Sequence, residues 1–160
     1  MSSCSFIATN FEMPEIESKA QYITVKEAIE LNITPHELVP WEKMDPNAQV
    51  LIVENEEDLN DLTITKDCYY SVNEYTNYPF IYQVDFSYSE SRAKQLFDYL
   101  TSNIQEDQII ELWRVWIGDD ALNIPYDRFT YNELTQDHLS EMYNWNDENY
   151  KQQYCLVIEK

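Results

Sequence analysis

The chain has 160 residues, 44% hydrophobic and 14% aromatic, with 30 acidic against 10 basic side chains and a net charge of −20. That apolar and aromatic content excludes a disordered acidic chain and predicts one soluble domain whose core needs neither metal nor disulfide staples. The charge disfavours nucleic acid and anionic membranes as partners, and a single glycine, Gly118, leaves no material for a Gly-rich phosphate loop or dinucleotide fingerprint.

In chain order, Cys4–Thr9 reads as a strand, followed by an acidic connection containing Pro14. Thr24-Val-Lys-Glu27 is a capping-box pattern, in which threonine and glutamate satisfy the free amides of a helix start. It predicts a helix to about Asn32, with Val25, Ala28, Ile29 and Leu31 facing inward. Residues 35–44 read as irregular or as a short helical turn, and Gln49–Val53 as a compact apolar strand. The acidic run Glu54–Asp61 is expected to form one helical turn, and Leu62–Lys66 alternates like a strand.

Residues 67–79 form a polar, tyrosine-rich connection without a period. Phe80–Phe86 reads as a strand, and Ser89 caps a helix over Glu90–Asn103, because Ala93, Leu96, Phe97, Leu100 and Ile104 recur at helical spacing. Gln108–Ile117 is expected to be a long buried strand, with Trp113 and Trp116 in the core on opposite faces. Gly118-Asp119-Asp120 turns the chain, and Tyr126–Thr130 is a shorter strand. A second capping box, Thr130-Tyr-Asn-Glu133, predicts a helix over Tyr131–Tyr143, and Tyr154–Glu159 closes as a strand. This order predicts an α+β fold: a two-layer sandwich with one mixed or antiparallel sheet covered by two or three helices.

The N-terminus lacks the basic and apolar regions of an export signal, and no apolar run approaches the roughly 18 residues that cross a bilayer. Cys4, Cys68 and Cys155 include no CxxC pair, so reduced thiols in a cytoplasmic protein are expected. Histidines His36 and His138 are far apart in sequence, which argues against a zinc site. The run Glu54–Asp61 lacks the Asp/Asn ladder, central glycine and terminal glutamate of a calcium loop, so it reads as a solvated face and no metal or cofactor is expected. No G-x-S-x-G elbow is present. Asp119 and Asp120 are candidates for acid–base or metal chemistry, but beside Gly118 they also have an ordinary turn composition.

Charge is spread along the whole chain: residues 1–80 hold 15 acidic and 4 basic side chains, residues 81–160 hold 15 and 6. This is the pattern of a charged folded surface and not of an acidic tail. Trp41 and Trp145 stand in polar surroundings, and thirteen tyrosines accompany them. Tyrosine and tryptophan are favoured at protein interfaces, where one end of the ring is buried and the other stays wet. Candidate partner-binding residues are therefore Glu54, Glu56, Glu57, Asp58, Asp61, Tyr69, Tyr70, Tyr75, Tyr78, Asp119, Asp120, Tyr143, Trp145, Asp147 and Glu148. The alternative for the aromatics is a place in the core.

The strand Cys4-Ser-Phe-Ile-Ala-Thr9, the segment Val39-Pro-Trp-Glu-Lys-Met44 and the strand Glu111-Leu-Trp-Arg-Val-Trp116 give the chain a resemblance to the small acidic immunity proteins of bacterial toxin systems. The resemblance implies an inhibitor that presents carboxylates to the basic cleft of a toxin or nuclease domain, where complementary fields speed association. Two other readings stay open: an acidic DNA mimic that inhibits a nucleic-acid-binding protein, and a small enzyme with a carboxylate site assembled in space.

Overall fold

β1 (Ser3–Thr9) is buried along almost its whole length, as its unbroken apolar run requires of a strand covered on both faces. The computed structural model describes residues 2–119 and 121–160. It divides into two compact units, Ser18–Asn60 on one side and Met1–Glu17 with Asp61–Lys160 on the other.

The smaller unit contains β2 (Gln21–Thr24), α1 (Val25–Glu30) and β3 (Gln49–Ile52), with β2 and β3 antiparallel and Tyr22 opposite Leu51. β2 falls in the segment read as an acidic connection, because four residues are too few to show a period. The capping box forms as expected. The Glu27 N–H donates to Thr24 Oγ1 at 3.2 Å, and the Thr24 N–H donates to Glu27 Oε2 at 2.8 Å. Helix α1 stops within two residues of the expected end, where Asn32 takes the left-handed φ of 54° that halts a helix. Its inward face is narrower than expected: Val25 and Ala28 are buried, while Ile29 and Leu31 are exposed. Trp41 packs with Val25, Ala28 and Val50 as the core of this unit, so its polar sequence neighbours mislead.

The larger unit continues with β4 (Thr63–Thr65), β5 (Phe80–Asp85), α2 (Glu90–Asn103), β6 (Ile109–Trp116), β7 (Tyr126–Thr130), α3 (Gln136–Tyr143) and β8 (Tyr154–Glu159). With β1 the strands form one sheet in the order β4-β5-β1-β6-β8-β7. Neighbours are antiparallel except β7 and β8, which run parallel, so the sheet is mixed and the fold class is α+β as read.

Ser89 caps α2 by accepting from the Arg92 N–H at 3.2 Å. Residues Ala93, Leu96, Tyr99 and Leu100 of α2, with Leu139 and Met142 of α3, meet Ile7, Tyr82, Val84, Ile110, Leu112, Leu156 and Ile158 of the sheet in one core. Each such aliphatic side chain contributes about 1.5–3 kcal/mol when taken fully out of water. The start of α3 differs from the expectation. The Tyr131 N–H still donates to the Glu159 carbonyl at 2.9 Å, so the chain remains tied to β8 where the helix was expected to begin. The Thr130/Glu133 pair closes a turn instead. Thr135 then starts the helix, its N–H donating to His138 Nδ1 at 3.0 Å, with histidine in the place of the usual glutamate.

Among the described residues, none from α2 or α3 belongs to the core on the opposite face of the sheet. Strand alternation points Cys4, Phe6, Ala8 and Val115 to that side, and connecting segments cover them with Val72, Tyr75 and Ile124. Residues 67–79 are therefore the lid of a second core. Among the described residues no helix is long and apolar enough to cross a membrane.

Candidate partner-binding site

The acidic run is divided between the two units. Glu54, Glu56, Glu57 and Asp58 belong to the smaller unit, Glu56–Asn60 forming a 3-10 turn, and Asp61 belongs to the larger one. Lys19 approaches Asp58 at 3.4 Å, and Arg92 Nε donates to Asp61 at 3.2 Å. Asp58 and Asp61 are thus engaged within the fold.

Among the tyrosines of residues 67–79, Tyr75 is a correction to the interface reading. Tyr75 is buried, with its ring centroid 6.0 Å from that of Phe6 and 5.9 Å from that of Trp113. Its hydroxyl has no hydrogen-bond partner among the described residues, and burial is the main cause that raises its pKa. Tyr70 and Tyr78 are half-buried against the same cluster. Tyr69 alone is exposed, edge-on to Tyr70 at 5.0 Å. Trp113 stacks on Phe6, half-buried against the core it is read into, and donates its indole N–H to Glu111 at 2.8 Å, while Trp116, also read as core, is half-buried.

The residues that do come together lie at one end of the sheet. Register places Ser3 opposite Trp116, Arg114 opposite Tyr154, and Tyr126 beside Cys155. The end of β6 and the starts of β7 and β8 therefore share that end. Asp119 joins it by accepting from Gln153 Nε2 at 3.0 Å, while Gln153 Oε1 accepts from the Trp116 N–H at 2.9 Å. Asp120 lies outside the described residues.

The segment after α3, Asn144-Trp-Asn-Asp-Glu-Asn-Tyr150, is polar yet tightly fixed. Asn144 Oδ1 accepts from the Asn146 N–H at 3.1 Å, and Asp147 Oδ1 from the Asn149 N–H at 2.9 Å, giving two successive Asx turns. Asp147 Oδ2 accepts from Ser140 Oγ at 2.5 Å, which fastens the segment to the last turn of α3. The Ser140 hydroxyl first, and the Asn149 amide second, hold the Asp147 carboxyl below its ordinary range. On this scaffold Trp145 stands 77% exposed, with Glu148 also in solvent.

Beneath the segment lies a layer anchored by Arg114, whose role gave no sequence signal. Its guanidinium sits 5.5 Å from the Tyr143 ring centroid and 5.3 Å from that of Tyr150, and donates to the Met142 carbonyl. Tyr143 is half-buried and engaged within the fold. Its hydroxyl is 2.5 Å from Ser5 Oγ, its ring contacts Phe86 at 4.7 Å, and burial pushes its pKa up to about 12. Leu122 and Tyr126, at the same end of the sheet, are 92% and 67% exposed and were not singled out from sequence, since nothing in their spacing distinguishes them from buried apolar residues.

All three arginines have partners within the fold: Arg92 with Asp61, Arg128, itself exposed, with Glu159 at 3.0 Å, and Arg114 with the two rings. The histidines serve the backbone as well, His36 Nδ1 accepting from the Leu38 N–H at 3.2 Å and His138 capping α3. Concavities of about 410 and 620 Å³ occur in the smaller unit, the larger lined by Ile29, Ile33, Val39 and Trp41. No protein-family model, curated protein or solved structure matches the chain.

Proposed function

We propose that this chain is a cytoplasmic protein-binding inhibitor of the immunity or antitoxin type, and that the Trp145 end of its larger unit docks on a basic toxin or nuclease domain. The observation that carries the reading is the exposed Trp145 on a segment locked by its own hydrogen bonds. A tryptophan carried on a backbone already fixed by hydrogen bonds loses little backbone freedom on binding, which favours it as an interface anchor. Leu122 and Tyr126 are also exposed at this end of the sheet, and Glu148 carries negative charge within the Trp145 segment itself. The net charge of −20 would steer a cationic partner at long range and make the association rate fall with salt.

The test compares capture by the unaltered protein and by Trp145→Ala, followed by an activity assay of the captured protein. The reading expects a basic enzyme that is inhibited on stoichiometric addition, and affinity reduced about 30-fold or more by the substitution, as for a hot-spot aromatic. The melting temperature of the variant should be unchanged. A captured enzyme that is not inhibited, or that binds Trp145→Ala equally well, overturns the reading.

A further inference from the structure

The second core contains a pair of thiols from distant parts of the sequence. Cys4, on β1, points into the cluster with Phe6, Ala8 and Val115, and Cys68 packs against the same cluster from residues 67–79. Cys4 is buried and Cys68 half-buried, and both are free.

Strand register fixes their neighbourhood independently. Gln83 of β5 lies opposite Phe6 of β1, and the Gln83 side chain accepts from the Tyr69 N–H at 2.8 Å. The residue after Cys68 is thereby held over the β1–β5 pair, close to where Cys4 emerges. Cys68 also acts directly on the Cys4 thiol, adding to the burial that pushes its pKa up to about 12. The third cysteine is differently placed: Cys155 lies opposite Trp113, which in turn lies opposite Phe6. Two strand spacings, about 9–10 Å, separate Cys155 from β1, beyond the roughly 7 Å between Cα atoms that a disulfide spans.

We propose that Cys4 and Cys68 form a redox-active pair that closes to a disulfide by exchange with a small oxidised disulfide such as oxidised glutathione. The half-exposed Cys68 reacts first. Its thiolate attacks one sulfur of the oxidant, forming a mixed disulfide and expelling one glutathione thiolate, which takes up a proton. Cys4 then loses its proton and attacks the Cys68 sulfur, expelling the second glutathione as a thiol. Two protein thiols are oxidised and one glutathione disulfide is reduced to two thiols, so atoms and electrons balance. The buried Cys4 thiol is a poor thiolate source, which makes the second step the slow one. The new bond fastens residues 67–79 to β1, and in sequence it closes a loop that includes the whole of Ser18–Asn60.

The experiment incubates the fully reduced protein with oxidised glutathione and follows intact mass, peptide maps under non-reducing conditions, and thermal melting. The pair predicts a transient glutathione adduct on Cys68, then a product two hydrogens lighter than the reduced chain with Cys4 and Cys68 peptides joined and Cys155 free. Closing so long a loop should raise the melting temperature by roughly 5–10 °C, reversibly on reduction. Cys68→Ser should lose the reaction and Cys155→Ser should retain it. A persistent adduct on Cys68, a bond to Cys155, or no reaction at any of the three thiols overturns the proposal, and the peptide map of the unaltered protein decides this even where a variant fails to fold.

Discussion

Tyr75→Phe and Tyr82→Phe remove the same atom from two buried rings and should move stability in opposite directions. The Tyr75 hydroxyl is buried without a partner among the described residues, while its ring keeps contacts with Phe6 and Trp113 that phenylalanine would retain. The Tyr82 hydroxyl, by contrast, accepts from the buried Met13 N–H at 2.8 Å. A buried polar group left unsatisfied costs about 1–3 kcal/mol. Tyr75→Phe relieves such a group and should stabilise by about 1–2 kcal/mol. Tyr82→Phe creates one on the Met13 amide and should destabilise by about 1–3 kcal/mol. For a chain of 160 residues each kcal/mol moves the melting temperature by roughly 3 °C, so calorimetry should separate the two variants by several degrees around the parent. Loss of stability in Tyr75→Phe would refute the reasoning, because it would mean that the hydroxyl is satisfied in solution, for instance by a trapped water.

Thr24→Ala should cost the α1 cap about 1 kcal/mol, read as faster amide exchange over Val25–Glu30, since Thr24 and Glu27 satisfy each other's amides. The Asp147 carboxyl should titrate below its ordinary value of 3.8, and Ser140→Ala should move the midpoint back up, as followed by carboxyl NMR. Because the folded-state pKa is the depressed one, the stability it contributes is fully present above pH 3.8 and is lost as pH falls through the folded value. The Trp145 segment should therefore loosen only in strong acid, seen as a change in indole fluorescence anisotropy.

Local physics made much of the fold legible. The Ser89 and Thr24 caps and the helical spacing of Ala93, Leu96 and Leu100 are consequences of neighbours within a few residues, and all three appear as read. The second capping pattern forms only a turn, Glu133 accepting from the Thr130 N–H, in a segment tied by the Tyr131 amide to Glu159, 28 positions away in sequence. β2 was missed because its pairing with β3 spans a segment with no period of its own.

For the candidate site the division is sharper. Composition and charge determined that this chain is folded and strongly acidic with little material for phosphate-loop or histidine chemistry, and the order of its periodic segments determined the α+β class. Tyr75 and Trp145 look alike in sequence, each an aromatic among polar neighbours, yet one is core and the other 77% exposed. Only tertiary structure decided that, because burial depends on which distant strand lies beneath a segment. Residues 67–79 cover an apolar sheet face made by β1 and β6, whereas residues 144–150 rest on the Arg114 layer and turn Trp145 to solvent.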